Sequence, residues 1–349
     1  MAWAFGDGFD CYAATTDPAN GYWDTVASLN AFAVGRFAGS QAVSIASGNS
    51  LVNFVKSSAV NDMVHHVVVA VFTSTAITGT NLYTNFQLLD GTTVQCSIVY
   101  RGDGAFLLTS GAPNSGITLA TYTGAVTAIN TWYAFEFEVV VHNSTGSFKV
   151  RKNGNTVDDH STTGIDTAGG TANNYANKLQ IGSGPQGASG SLRFDDLYWR
   201  SDASSVAWMG DIRCYTRAPA SDAAVQFSRT TGASNFSCVD EPQQNTTTDY
   251  VYDSVVGHSD LYGIAAIAST PLTTFAVTTR AYAIKSDAGT RTMAVQLKSG
   301  ATTDASTTVV LTPSNWQWAW KHYPLDPATG GAWTAAAVNV AQVGPVVIA

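Results

Sequence analysis

The sequence predicts an all-β protein: an antiparallel jelly-roll β-sandwich followed by a second, smaller β-sandwich domain. Three observations predict it. The regular segments are built from Val, Ile, Thr and aromatic residues, which suit a pleated, half-buried surface. Within them, apolar and polar residues alternate with the period of two that turns one face inward. Asp90-Gly91, Asp103-Gly104 and Asn153-Gly154 punctuate them, and these pairs tolerate the positive φ of tight hairpins. No run of helical period stands out, and Leu, Glu and Lys are scarce.

In chain order, Gly8-Phe9-Asp10-Cys11-Tyr12 reads as an opening stretch that pairs with a closing strand inside Ser189 to Asp202. Val64 to Phe72 is an apolar strand. From 93 to 100, Val94, Cys96, Ile98 and Tyr100 face inward, and Gln95, Ser97 and Val99 outward. The clearest hairpin spans 131 to 157. Tyr133, Phe135, Phe137 and Val139 point inward, and Glu136 and Glu138 lie on an exposed face opposite Arg151 and Lys149. Residues 158 to 190 read as loops around one strand, Lys178 to Gly182. In the closing strand, Leu192 and Phe194 set an inward phase that would bury Asp196. Either the strand bulges at Asp195-Asp196, or one carboxylate is buried and hydrogen-bonded.

A chain of 349 residues suggests two domains, drawn at 1–204 and 205–349. In the second, Phe275 to Lys285 and Arg291 to Lys298 read as a strand pair around Asp287-Ala288-Gly289. Thr307 to Leu311 is a further strand, and Trp316, Trp318 and Trp320 would share one strand face.

Charged residues make up only 12% of the chain against the ordinary quarter or so, so its surface is polar without being charged. Such a surface suits static packing in an assembly. A net charge of -8 leaves nothing to neutralise phosphates, which argues against nucleic acid. No apolar run is long enough to insert into a membrane, and the first residues lack a basic and apolar secretory leader. Cys11, Cys96, Cys214 and Cys238 form no metal-binding spacing and are expected as free, mostly buried thiols, with a Cys214–Cys238 disulfide as the alternative.

Two resemblances add to this reading. Residues 5 to 202 resemble the concanavalin-A-like lectin/glucanase superfamily in its laminin-G-like branch, through Asn130-Thr131-Trp132-Tyr133, the hairpin passing Gly146 and Gly154, and Phe194-Asp195-Asp196-Leu197-Tyr198. Nearly the whole chain is similar to a group of tailed-bacteriophage structural proteins. The shared segments are Asp7-Gly8-Phe9-Asp10, Gly35-Arg36-Phe37, the Phe194 to Tyr198 strand, Gly210-Asp211-Ile212-Arg213, Val239-Asp240-Glu241, Asp249-Tyr250, Lys285 to Gly289, and Asp326-Pro327 to Trp333.

The second resemblance implies a virion component assembled in the bacterial host cytoplasm, not an enzyme. It would be a tail or fibre protein or a capsid decoration protein, docking with other virion proteins and forming a homo-oligomer. The alternative is a carbohydrate-binding adhesin module for host surface glycan, with loops Ala112 to Gly116 and Gly182 to Gly190 at its rim. A glycoside hydrolase is a third reading. Laminarinase-type relatives use Glu-x-Asp-x-x-Glu, but Val139, Val140 and Val141 follow Glu136-Phe137-Glu138, so the spacing fails.

No catalytic residue is assigned. Trp316, Trp318 and Trp320 are candidate sugar-stacking residues, against packing as core. Asp195 and Asp196 are candidate calcium ligands, with Asp158 and Asp159 contributing, against the ordinary role of tying backbone N–H groups. No other cofactor is expected. His65 and His66 point to opposite faces and cannot chelate together, and Arg101-Gly102-Asp103 reads as a turn.

Overall fold

The computed structural model describes residues 3–27, 31–45, 52–183, 192–244, 248–267 and 273–349. The chain forms two compact units, Met1–Phe9 with Trp23–Cys214, and Asp10–Tyr22 with Tyr215–Ala349. The division drawn at residue 204 in the sequence therefore differs in two places. Residues 205–214 stay with the first unit, and residues 10–22 belong to the second.

The first unit's strands are β1 (Trp3–Asp7), β2 (Thr25–Val26), β3 (Ala31–Val34), β4 (Gln41–Ile45), β5 (Val52–Asp62), β6 (Val64–Thr73), β7 (Leu82–Asp90), β8 (Thr93–Arg101), β9 (Phe106–Ser110), β10 (Thr118–Tyr122), β11 (Trp132–Val140), β12 (Gly146–Lys152), β13 (His160–Ile165), β14 (Ala176–Ser183) and β15 (Leu192–Asp202). One sheet runs β13-β12-β11-β6-β15-β4-β3, with β1 also on β15, and the other runs β10-β9-β8-β7-β14-β5-β2. This is an antiparallel two-sheet jelly roll. Its layers meet through aromatic rings. Phe106 from one sheet packs edge-on against Phe135 and Phe137 of the other at 4.8 and 4.9 Å, and Phe86 meets Phe194 at 5.2 Å.

The hairpin register follows the alternation, with Glu136 opposite Arg151 and Glu138 opposite Lys149. At the turn that ends β12, Asn153 and Gly154 both take positive φ, 52° and 75°. Four expectations change. The closing strand pairs with Trp3–Asp7, not with residues 8 to 12. A strand the loop reading missed, β13, adds an edge beside β12. On β8, the polar face is buried too, because Gln95 reaches Thr171, Asn173 O and Tyr175 O and ties down a neighbouring loop. The acids Glu136 and Glu138 are buried as well, at 2% and 8% exposure, where an exposed face was expected.

In the second unit, β16 (Pro219–Ala224), β19 (Leu261–Ile264), β25 (Gln342–Val347), β21 (Arg291–Ser299) and β22 (Thr302–Ala305) form a sheet in that order, with β23 (Val309–Leu311) on β21. Two ribbons, β17 (Ser228–Arg229) with β18 (Val251–Tyr252) and β20 (Val277–Ala283) with β24 (Gln317–Tyr323), complete it. The predicted pairing of 275–285 with 291–298 does not form. Strand β20 pairs with β24 and β21 with β25, so the two neighbours in sequence fall in different layers. Met293 and Val295 of one layer pack against Ala319 of the other. A short helix that the sequence reading missed, α1 (Ala335–Val340), begins at Thr334, whose side chain accepts the Ala337 N–H. It packs with Leu297, Tyr323 and Trp333. No disulfide joins the four cysteines; Cys96 and Cys238 are buried, and Cys11 and Cys214 are partly so.

Candidate functional site

The outward face of β6, β11 and β12 carries a closed charge network. His66 is fully buried there, with Nδ1 2.8 Å from Glu136 Oε1 and Nε2 3.1 Å from Glu138 Oε2. Lys149 Nζ donates to Glu138 Oε1 at 2.8 Å. Strand register explains the grouping, since His66 lies opposite Glu138 on β11 and Glu138 opposite Lys149 on β12. What buries the network is the segment after β15. The Met209 N–H donates to both Glu136 oxygens at 2.9 and 3.0 Å, and the Gly210 N–H donates to Oε2 at 2.7 Å. Trp208 lies edge-on to His66 at 4.9 Å and takes the Arg151 guanidinium on its face at 4.1 Å.

Burial works against charge on His66, but its hydrogen bonds with the two glutamates more than offset that and raise its pKa. Glu138 is likewise opposed by burial, yet His66 and Lys149 hold it down at about 2.

The same segment is gripped a second time. Strand β15 bulges at the acidic pair: Asp195 faces Ala70, but Tyr198 faces Val68, and Asp196 takes a left-handed φ of 53°. Both carboxylates are buried and hydrogen-bonded, so the two alternatives left open by the sequence hold together. Asp195 accepts the Arg36 N–H at 2.7 Å and the Asp196 N–H at 2.7 Å. Burial, with Asp196 beside it, pushes Asp195 up to about 7. Asp196 accepts the Cys214 N–H at 2.8 Å. Arg36 holds Asp211 through two parallel bonds of 2.6 and 2.8 Å, and Arg213 lies over the Phe37 ring at 4.2 Å. Gly35 is required here, because a Cβ would lie 2.7 Å from Asp195 Oδ2 and 2.8 Å from the Gln41 backbone.

Four segments singled out in the sequence thus meet in one place: Gly35-Arg36-Phe37, Asp195-Asp196, Gly210 to Arg213, and Gly8, whose added Cβ would lie 2.6 Å from Cys214 O. Together with His66, Glu136 and Glu138 they form a lock on residues 206–214. Asp158 and Asp159 are engaged elsewhere, with Arg151 and with Lys152 N–H and Asn155. Among the described residues no group of three or more His, Cys, Asp or Glu side chains is arranged to hold a metal ion. The donors to Asp195 and Asp196 are largely backbone N–H groups. Sequence reading missed the role of His66, Arg36 and Trp208. The failing glucanase spacing at Glu136 and Glu138 drew attention to the right acids for the wrong reason.

The tryptophan row lies in the second unit, against residues 10–22. Trp318 is 5% exposed, and its indole N–H donates to Asp17 O at 3.0 Å. Trp320 donates to Gly21 O at 2.8 Å and meets Tyr22 edge-on at 5.0 Å. Trp316 and Trp318 both stack on Tyr282, at 5.3 and 4.3 Å. Arg280 lies 3.5 Å over the Tyr22 ring. Trp318 is packed into the unit, and Trp316 and Trp320 are half-buried. His65 points to the other side of β6 from His66, toward Asp62 O and Trp199. Arg101 and Asp103 pair with each other across their own turn. Of the loops suggested for a glycan rim, residues 184–190 lie outside the described residues.

No family model matches this chain, and no curated protein does. Solved structures with a similar course include the CBM2 module of the evolved Dit of Lactobacillus casei BL23 phage J-1, at 11% identity over 59% of this chain and 92% of that one, with a TM-score of 0.35. A conserved carbohydrate esterase from the Shiga toxin-encoding bacteriophage phi24B is 15% identical over 50% of this chain and 89% of that one, TM-score 0.36. The endo-1,3-beta-glucanase of Streptomyces sioyaensis is 13% identical over 58% of this chain and 97% of that one, TM-score 0.35. At this level neither family nor activity transfers to the chain.

Proposed function

We propose that the chain is a non-enzymatic structural component of a tailed-phage virion that works by docking through sheet faces and loops. The observation that carries this reading is the use made of its acids. The acid pair weighed against the laminarinase-type spacing, Glu136 and Glu138, is engaged by His66, Lys149 and the chain's own backbone. Four of the segments that resemble phage structural proteins, Gly8, Gly35 to Phe37, Asp195-Asp196 and Gly210 to Arg213, meet at residues 206–214, a use that supports an architectural role. A low charge content leaves broad neutral surface for static contacts with other virion proteins or further copies of the chain. No helix among the described residues is long and apolar enough to cross a membrane.

Mass spectrometry and cryo-EM of purified particles test the reading. The chain should be present at stoichiometric copy number in the particle. Its absence there, or β-glucan hydrolysis abolished by Glu138→Gln, would sink it.

A second reading, glycan adhesion, is favoured by the half-exposed Trp316 stacked on Tyr282 and by the exposed pair Tyr250 and Tyr252. A glycan array on wild type and Trp316→Ala distinguishes it: sugar binding lost in the variant supports adhesion, and a blank array removes it.

A further inference from the structure

The lock contains one group whose charge the geometry dictates. Both ring nitrogens of His66 face carboxylate oxygens, at 2.8 and 3.1 Å. A neutral imidazole has one N–H, so one of those contacts would set a bare lone pair against a carboxylate. Only the doubly protonated ring donates to both. We propose that His66 is a proton-linked latch: as an imidazolium it bridges Glu136 and Glu138 and keeps residues 206–214 seated on the first sandwich, and losing the proton unseats them.

The neighbours make His66 the deciding charge. Glu136 and Glu138 lie on β11. Lys149 on β12 reaches only the Glu138 side of the ring. Arg151, also on β12, is turned to Trp208 and to Asp158 at 2.8 Å. Arg200 on β15 is the register partner of His66. On β6 itself, His65 points away and is held neutral to about 4, chiefly by burial.

Glu136 joins the charge network to the connector, because it accepts the Met209 and Gly210 N–H groups while facing His66. Once His66 is neutral, Glu136 and Glu138 are buried like charges, with a lone pair set against one of them.

The direction of the effect follows. Relative to the unfolded chain, whose ring titrates at about 6.5, the folded network holds the His66 proton more tightly. The network's contribution to holding residues 206–214 is therefore whole below about pH 6.5 and is lost as pH rises through the raised pKa of the ring. Glu138, held at about 2, stays ionised across that range.

Hydrogen exchange on the full-length protein from about pH 6 to about pH 9.5, corrected for base-catalysed intrinsic exchange, tests the latch. Peptides covering 206–214 should lose protection by up to about tenfold for each pH unit between about 6.5 and the raised pKa of the ring, and no further above it. Peptides covering Phe106 and Phe137 in the sandwich core should not. His66→Gln should flatten the profile.

Ring-nitrogen NMR of wild type adds a readout that does not depend on the variant folding. Both His66 nitrogens should carry protons at about pH 6.5 and lose one in step with the exchange. A flat wild-type profile, a step surviving in His66→Gln, or a singly protonated ring at about pH 6.5 would overturn the proposal.

Discussion

Residues 206–214 of the first unit and residues 10–22 of the second each lie on a sheet face, and different forces hold them there. The first segment is seated by carboxylates and guanidinium: Glu136 on the Met209 and Gly210 N–H groups, Asp196 on Cys214, Arg36 on Asp211. The second is seated mainly by rings and neutral hydrogen bonds. Tyr12 and Tyr22 meet Trp318 and Trp320 edge-on, and two indole N–H groups reach backbone carbonyls. The contrast teaches that burial alone does not fix how a contact responds to conditions. An ionic seat depends on protons and salt. An aromatic seat depends on area and shape.

The sharpest way to break the comparison is at its apolar end. Trp318→Ala removes a buried indole and should cost about 4 kcal/mol. Urea unfolding of the full chain should give the same loss at low and high salt. A strongly salt-dependent loss would mean that Asp17 and Arg280, not the rings, seat residues 10–22.

Glu136→Ala removes one member of a buried charge network and should cost about 3 kcal/mol. It should also raise exchange at residues 206–214, and an unchanged exchange pattern there would detach the network from the connector. Next comes Arg36→Lys, which keeps the charge but loses the two parallel bonds to Asp211. A loss of about 1–2 kcal/mol is expected, and an equal replacement would reduce Arg36 to a point charge. Lys149→Met is the smallest, at about 0.5 kcal/mol, because that pair lies at the partly exposed rim. Its effect should fade in high salt.

A pH series sharpens the same contrast. His322 of the second unit is held neutral down to about 4, first by burial and then by Arg280. Its pKa is lowered on folding, so its contribution is present above about 6.5 and lost as pH falls toward about 4. His66 runs the other way, with stability lost as pH rises. Exchange around Thr278 and His322 should therefore quicken on the acid side, while residues 206–214 quicken on the alkaline side. Matching profiles in both places would erase the distinction.

Much of the fold was readable along the chain. Alternation at Phe135, Phe137, Phe148 and Val150 placed the core face of the best hairpin. Glycine-bearing turns placed its ends, and cross-strand register followed from both. Strand partners in the second unit were less readable. The 277–283 and 291–299 strands sit close in sequence but pair elsewhere, with β24 and with β25, strands that lie further along the chain. The site was hardly readable at all. Glu136 and Glu138 look like solvated acids because nothing within their own hairpin covers them. Their cover comes from Trp208, Met209 and Gly210, about seventy residues further on.

The sequence by itself determined that this chain is built of antiparallel strands, since side-chain period and turn chemistry are local properties that each segment carries alone. Only the tertiary structure decided which polar faces are covered, which acids are charged against which partners, and that Asp195-Asp196 both bulge and bury. Those outcomes depend on groups distant in the chain meeting in a low-dielectric place, where hydrogen bonds and ion pairs take values that no local pattern encodes.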